Sequence, residues 1–178
     1  MKLLRTIRLD ASDSFVFENA AEPGEWAVSG AFEFACRNPA GLRAKARSAF
    51  RAGFLGLASL GRSTLVQIVE ASEADRRTVV DLLTVQLVAH FGAPDARVAR
   101  RAAEEEVDFA ASLCGHPAGA VIAVTRSRED GAIRETFRML RPRKGARHAP
   151  AFEFLEVVGE KHAASERHDL CALSKEVG

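Results

Sequence analysis

The stretch from Phe50 to Glu70 constrains the fold more than any other part of the chain. It reads FRAGFLGLASLGRSTLVQIVE, is the most apolar run of the sequence, and contains Gly53, Gly56 and Gly61. Before Gly61 the apolar residues follow helical spacing, and after Arg62 they form a β-branched run. This change of period predicts a passage from helix to strand through a glycine turn. We therefore expect the rest of the protein to pack around this corner.

The composition predicts one globular domain. The chain has 178 residues, of which 47% are hydrophobic and 28% charged, and its formal net charge is +1. This apolar fraction is typical of soluble globular proteins. A charge so close to zero favours neither nucleic acid nor a membrane surface as the partner. Three widely spaced cysteines form no disulfide framework, and this predicts reduced thiols in a cytosol.

No segment has the pattern of a membrane span or an export signal. Arg5 and Arg8 interrupt the place where a signal peptide would have its apolar core. The most apolar window is cut by Gly56, Gly61 and Arg62, and it is too short and broken to cross a membrane. We expect a cytoplasmic protein.

Hydrophobic periodicity predicts an α+β fold with a mostly antiparallel sheet of about six short strands and three main helices on one face. Strand patterns fall at residues 2–9, 25–35, 64–69, 120–126, 133–140 and 152–158, with a further short one at 15–17. The predicted helices are 42–57, one from the Ser72 cap to Phe91, and one from the Asp95 cap to Cys114.

Three further features of these elements can be predicted. Asp130-Gly131 between apolar runs indicates a tight β-hairpin. The last two helices, joined by a short turn, are expected to form an antiparallel helix hairpin. The first of them is apolar nearly all round, which is typical of a buried helix. We expect a single domain over residues 1–158 and a polar tail over 159–178.

The segment from Gly56 to Ser63 matches the phosphate-loop pattern, with Arg62 in place of lysine. Such a loop binds phosphate when a strand leads into it and a helix begins directly after it. Here the predicted order is reversed, so we expect no nucleotide site. Arg62 and Ser63, with glycine amides, are candidates for holding a small anion. The alternative is that Gly61 only forms the turn and Arg62 is an exposed flank.

Glu106 is the most informative single residue, because it lies in the middle of the apolar arc of its predicted helix. A buried carboxylate needs a partner or a raised pKa. The structural interpretation is an ion pair or hydrogen bond, with Arg76 or Arg77 as the nearest cations. The functional interpretation is an acid, a base or a ligand contact. His90, on the apolar side of the preceding helix, is a weaker catalytic candidate and is more typical of a satisfied core residue.

Other chemistry-bearing residues predict no cofactor and no metal. Cys114 lies at a helix C-terminus, where the helix dipole disfavours a thiolate. His162, His168 and Cys171 do not provide the four ligands of a closed zinc site. The basic loop over residues 141–149 lacks interleaved aromatic residues, so we expect no nucleic-acid binding.

Three segments together carry a resemblance to a known group of proteins. They are MKLLRTIRLD, EWAVSGAFEF and GFLGLASLGRSTLV. The chain resembles an uncharacterised family of small proteobacterial proteins of unknown function, over nearly its whole length. The resemblance implies a bacterial, cytoplasmic setting and a single domain, and it supplies no activity, cofactor or catalytic residue.

Two functional hypotheses follow. The first is a non-catalytic accessory or protein-binding domain that contacts an acidic surface of another protein. Its predicted interaction surface is an apolar patch, left partly uncovered by the glycines and rimmed by arginines. This surface comprises Arg47, Arg51, Phe54, Leu55, Leu57 and Arg62. The second hypothesis is an enzyme or a binding protein for a small anionic ligand, with a pocket near Glu106 that His90 or Arg62 lines.

Overall fold

The computed structural model describes residues 1–142 and 155–164, and within them it has eight strands and four α-helices. The strands are β1 (Lys2–Ile7), β2 (Trp26–Val28), β3 (Phe54–Gly56), β4 (Arg62–Ser63), β5 (Leu65–Glu70), β6 (Val121–Glu129), β7 (Ala132–Pro142) and β8 (Leu155–Ala164). The helices are α1 (Ser12–Val16), α2 (Ala44–Ala52), α3 (Glu73–His90) and α4 (Ala96–Ser112). Two short 3-10 helices, Ala31–Phe34 and Pro39–Gly41, precede α2.

All the described strands belong to one sheet in the order β4-β3-β2-β1-β5-β6-β7-β8, and neighbouring strands are antiparallel. The predicted α+β class and antiparallel sheet are confirmed, whereas the predicted number of six strands is too low. The additional strands β3 and β4 come from the Phe50–Glu70 stretch. There the predicted helix over residues 42–57 ends at Ala52, and the chain makes a short hairpin before β5.

The chain changes strand partner at Thr64. β4 pairs with β3, whereas β5, one residue later, pairs with β1 and β6. In the sheet, β4 and β5 are therefore separated by β3, β2 and β1, although only one residue separates them in the chain. This part of the sheet must curve to bring β4 and β5 together. The backbone N–H of Thr64 donates to the buried Asp13 carboxylate at 3.2 Å, and its hydroxyl donates to the same group at 2.8 Å. Asp13 thus satisfies a donor at the bend between β4 and β5.

Two local predictions near the N-terminus are wrong. Residues predicted as a strand at 15–17 lie largely in the short helix α1. The predicted strand over residues 25–35 ends at Val28, because Gly30 has a φ of +71° and the next residues form a 3-10 helix. The left-handed conformation at Gly30 is one that glycine adopts without steric cost.

The main core lies between the helix hairpin and one face of the sheet. The strand register places Leu4, Ile68, Ile122 and Phe137 on this face, and all four are fully buried. Phe109 of α4 packs edge-on against Phe137 with ring centroids 5.7 Å apart. From α3 the same core receives Val79, Val80, Leu83 and Leu87.

The helix hairpin forms as predicted. Ser72 and Asp75 make a reciprocal capping box at the start of α3, and Asp95 accepts from the N–H of Val98 at the start of α4. Complete burial of α3 was the wrong expectation, because Val85 is 64% exposed and Val88 44% exposed. Among the described residues, no helix is both long and apolar enough to cross a membrane.

The β6–β7 hairpin also forms as predicted. Asp130 and Gly131 both have positive φ, at 51° and 82°, as a type I′ turn requires. β8 continues to Ala164, past residue 158, where the predicted strand over residues 152–158 ends.

Gly61 provides a test of the close packing at this corner. A Cβ on Gly61 would lie 2.5 Å from the Ala21 nitrogen and 2.6 Å from the Ala20 carbonyl carbon. We expect Gly61→Ala to lower the free energy of unfolding by about 1–3 kcal/mol, since backbone must move to accommodate the methyl group. Urea denaturation measures this change. In the control Gly115→Ala, where a Cβ meets nothing within 4 Å, the change should stay within about 0.5 kcal/mol. Equal costs for the two variants would contradict the close approach.

Candidate functional site

A buried ion pair joins β6 and β7 at the edge of the main core. Arg126 and Glu135 are opposite each other in the strand register, and their side chains are 0% exposed. The Nε of Arg126 donates to Glu135 Oε1 at 2.7 Å. Removing two charges from water costs several kcal/mol per ion, so such a pair is tolerated only when its remaining polar atoms are bonded.

The remaining donors of Arg126 all have acceptors. Its Nη1 donates to the carbonyls of Phe50 at 3.0 Å and Gly53 at 2.9 Å. Its Nη2 donates to the carbonyl of Ser29 at 2.5 Å and to the Ser29 hydroxyl at 3.1 Å. The same hydroxyl donates to Glu135. All five N–H groups of the guanidinium are therefore used, and they tie β6 to the ends of α2 and β2.

Arg62 is the second buried cation of this site, with a relative exposure of 5%. Its Nη1 donates to the Gly53 carbonyl at 3.2 Å, so Gly53 accepts from both Arg62 and Arg126. Its Nη2 forms an ion pair with Glu33. The ring of Phe34 lies 5.1 Å from the guanidinium carbon, within cation–π range.

Burial lowers the pKa of Arg62 to about 9, and the nearby charge of Arg126 acts in the same direction. The negative charge of Glu106 opposes this shift. Arg62 therefore stays protonated at neutral pH, and carboxylates offset part of the cost of burying it.

Glu106 is part of this charged site. The cations expected from the sequence as its partners were different ones. Glu106 is 6% exposed, and its Oε1 accepts from the backbone N–H of Gly30 at 3.1 Å. Arg76, one of the predicted partners, pairs instead with Asp108 at 2.6 Å. Burial of Glu106 was predicted correctly, and the cation that its charge stabilises is Arg62.

His90 was expected on an apolar helix side but is exposed at the end of α3. No hydrogen bond or ion pair found in the described part of the chain joins it to Glu106. Ser63 is buried, and its hydroxyl lies 3.0 Å from the Ile7 carbonyl and 2.7 Å from that of Leu65. The Gly56–Ser63 segment is a strand, a turn and a strand, so the helix that a phosphate loop needs does not follow it.

Only some residues of the predicted interaction surface are exposed. Arg47 and Arg51 are exposed as expected. Phe54, Leu55 and Leu57 are 0% exposed, so the expectation that the glycines leave them uncovered is wrong. The strand β3 places these residues inside the main core, and Arg62, expected at the rim, is buried.

Among the described residues, Cys114 is a free and buried cysteine. Burial raises the pKa of the Cys114 thiol to about 11, and the nearby Lys2 charge lowers it only in part. His168 and Cys171 lie outside the described residues. Within residues 1–142 and 155–164, no group of three or more metal-ligating side chains comes together.

Two open cavities are lined by described residues, and Glu135 of the charged site lines the second of them. One, of about 520 Å³, is bounded by the turn before β6 together with Arg141 and Val158. The other, of about 400 Å³, lies over the outer ends of β6, β7 and β8. Neither is lined by Glu106 or Arg62. The predicted basic loop, apart from Arg141 and Pro142, lies outside the described residues.

Arg126 and Glu135 were not among the predicted site residues, although the sequence contains a signal for the pair. Glu135 has the same parity as the inward-facing Ile133 and Phe137, and Arg126 the same parity as Val124. The Asp-Gly turn fixes the hairpin register, which sets the two charges opposite each other. The parity of the side chains and the turn register were therefore enough to predict a charged pair on the buried face of this hairpin.

The fold and site define an α+β domain in which charged side chains from four parts of the chain form one buried network. The chain belongs to a family of unknown function (DUF6505), whose family model matches residues 1–154. No curated protein and no solved structure matches it significantly.

We expect Arg126→Met to lower the free energy of unfolding by about 3–5 kcal/mol, because it leaves Glu135 buried without its cation. Urea denaturation measures the effect. Arg138→Met, which breaks the exposed pair with Glu160, is the matched control and should cost at most about 1 kcal/mol. The double variant R126M/E135L should recover much of the loss. If R126M lowers the free energy of unfolding no more than R138M does, the network does not stabilise the fold.

We expect Cys114 to be nearly inert in the native protein. A pKa two units above the ordinary 9.0 leaves about a hundredfold less thiolate at a given pH, and burial blocks the reagent as well. Iodoacetamide labelling at pH 8, read at the Cys114 peptide by mass spectrometry, should be slow in buffer and fast in urea. Equal labelling rates in buffer and in urea would contradict the burial of the thiol and would make Cys114 a candidate nucleophile.

Proposed function

We propose that this protein is a non-catalytic binding domain whose partner is a protein with an acidic surface. The observation that carries the proposal is an exposed basic helix, α2, beside an exposed aromatic side chain on α1. The proposal keeps the basic part of the predicted surface and replaces its apolar part.

Exposed cations cover the outer side of α2. They are Arg43 at the N-cap, Lys45, Arg47 and Arg51. The sequence has no acidic residue between Glu33 and Glu70, and no ion pair joins these four cations to an acid among the residues that the structure describes. Their charge is therefore not neutralised locally, and an acidic partner surface would be attracted to it.

Phe15 supplies an apolar contact beside this basic helix. It is 77% exposed on α1, and α1 is attached to α2 by the Lys45 ammonium, which donates to the Phe17 carbonyl at 3.3 Å. Aromatic and arginine side chains are the ones that contribute most to binding at protein interfaces. We call Phe15, Arg43, Lys45, Arg47 and Arg51 together the α1–α2 surface.

The charged network supports a non-catalytic role. Catalysis by Glu106 needs a carboxylate that meets a substrate, whereas this one is nearly buried and bonded to the Gly30 amide. A small anionic ligand near Glu106 is therefore the competing hypothesis in the experiment below. Bacterial origin and a cytosolic location stay predictions.

A pull-down with the tagged protein, followed by binding measurements with each purified candidate, tests the proposal. We expect one protein to bind saturably, with an affinity that falls as salt rises. Arg47→Glu/Arg51→Glu and Phe15→Ser should each weaken that binding about tenfold or more, which corresponds to about 1.4 kcal/mol. The control Arg134→Glu/Arg138→Glu reverses as many exposed charges on β7 and should bind like the wild type.

Two results would count against this function. One is a purified partner that binds R47E/R51E as well as the wild type, which would place the interface elsewhere. The other is a thermal shift caused by anionic metabolites and abolished by Glu106→Gln, with no stoichiometric protein partner.

A further inference from the structure

The larger cavity lies at the end of the sheet where β6 begins and β7 ends. On β7 the side chains of Phe137 and Met139 face the main core, and Arg141 has the same parity at the end of the strand. The loop over residues 116–119 connects α4 to this end of the sheet. The cavity of about 520 Å³ lies between the loop and the strands, and none of its described lining residues belongs to α3 or α4.

Small and apolar residues from the loop form one wall of the cavity. They are Pro117, Ala118, Gly119 and Ala120. The backbone of this wall is bonded to β5, since the N–H of Gly119 donates to the Ile68 carbonyl at 2.8 Å and the N–H of Ile68 donates to the Ala120 carbonyl at 2.9 Å. Pockets for small molecules have volumes of about 300–1,000 Å³ and mostly apolar walls with few polar groups. The volume and this wall both fit that description.

A β-bulge supplies the opposite wall. Between Met139 and Leu140 the β7–β8 register shifts by one residue, which leaves Val158 as an extra residue of β8. Bulges change the direction of a side chain and are frequent next to binding sites. The bulged Val158 lines the cavity.

The imidazole of His116 is a polar group in the wall. It is half-buried and packs against β8 at Gly159, where a Cβ would lie 3.1 Å from Nε2 and 3.3 Å from Cε1. The ammonium of Lys2 donates to the His116 carbonyl at 2.6 Å and so holds this part of the loop. Within residues 1–142 and 155–164, no hydrogen bond to the ring nitrogens of His116 is found, so they are available to a ligand.

Arg141 adds a positive charge whose donors are only partly used. Its Nε donates to Glu156 at 2.7 Å. The N–H groups of Nη1 and Nη2 have no acceptor within hydrogen-bond distance among the residues that the structure describes. A guanidinium binds a carboxylate through two parallel N–H groups, and the Nη edge of Arg141 can bind one in this way while Glu156 keeps the Nε.

We propose that this cavity binds a small organic acid. The carboxylate is held by the Nη edge of Arg141 and by His116, and the apolar body lies against the loop and Val158. An uncharged apolar molecule would leave Arg141 unused, and an inorganic phosphate ion would leave the apolar walls in contact with water. The cavity shares no residue with the α1–α2 surface or with the charged network around Glu106, and the proposal does not depend on the function proposed above.

Matched acids and amides test this site. The probes are hexanoate, octanoate and phenylacetate, the neutral amide of each, and inorganic phosphate. By isothermal titration calorimetry, at least one of the acids should bind the wild type at one site with a dissociation constant below about 1 mM. Its amide and phosphate should bind at least about tenfold more weakly, because the amide lacks the charge and phosphate lacks the apolar body. In NMR spectra the imidazole signals of His116 should move during the titration with that acid.

Three variants locate the binding. Arg141→Gln should weaken binding of the acid about tenfold or more and leave binding of the amide unchanged. Ala118→Phe, at an exposed position of the wall, should fill the cavity and weaken both. The control Arg138→Gln removes an exposed arginine of the same strand that also pairs with a glutamate, Glu160, and should bind like the wild type. Circular dichroism checks that the three variants are folded.

Three results would each overturn the proposal. The first is a wild type that binds none of the acids more tightly than about 1 mM. The second is an acid and its amide that bind equally well, which would remove the role of the charge. The third is R141Q that binds the acid as tightly as R138Q does, which would place the acid elsewhere on the molecule.

Discussion

The guanidinium of Arg126 is the interaction on which the rest of the structure depends. Its five N–H groups reach Glu135 on β7, two carbonyls at the end of α2, and Ser29 after β2. Those segments are far apart in sequence, and no other side chain described above bonds to so many of them. Because a buried cation with an unused donor is costly, the guanidinium and its acceptors must be positioned together.

Arg62 extends the same constraint to the glycine corner. It shares the Gly53 carbonyl with Arg126, so the end of α2 is held between two cations. Glu33 and Glu106 supply negative charge from a 3-10 helix and from α4. Residues that suggested a ligand site in the sequence therefore neutralise one another. Their position explains why we assign binding to exposed side chains elsewhere on the molecule.

Local sequence signals predicted the structure correctly where the interaction joins residues that are close together in the sequence. The capping box at Ser72, the Asp95 cap and the Asp130-Gly131 turn each specify a hydrogen bond or a backbone angle between neighbours in sequence. The same is true of Glu106, whose burial follows from helical periodicity alone. Signals failed for β3 and β4, since strands of three and two residues give no period to detect and are defined by their partners.

The sequence by itself determined the α+β class, the helix hairpin, the β6–β7 hairpin and the burial of Glu106. Only the tertiary structure decided that Phe54, Leu55 and Arg62 are buried, and that the Phe50–Glu70 stretch forms a hairpin before β5. The physical reason is that exposure depends on what other segments cover. For Arg62 these are the 3-10 helix at Ala31–Phe34 and the segment around Ala20, and sequence spacing contains no information about contacts of that range.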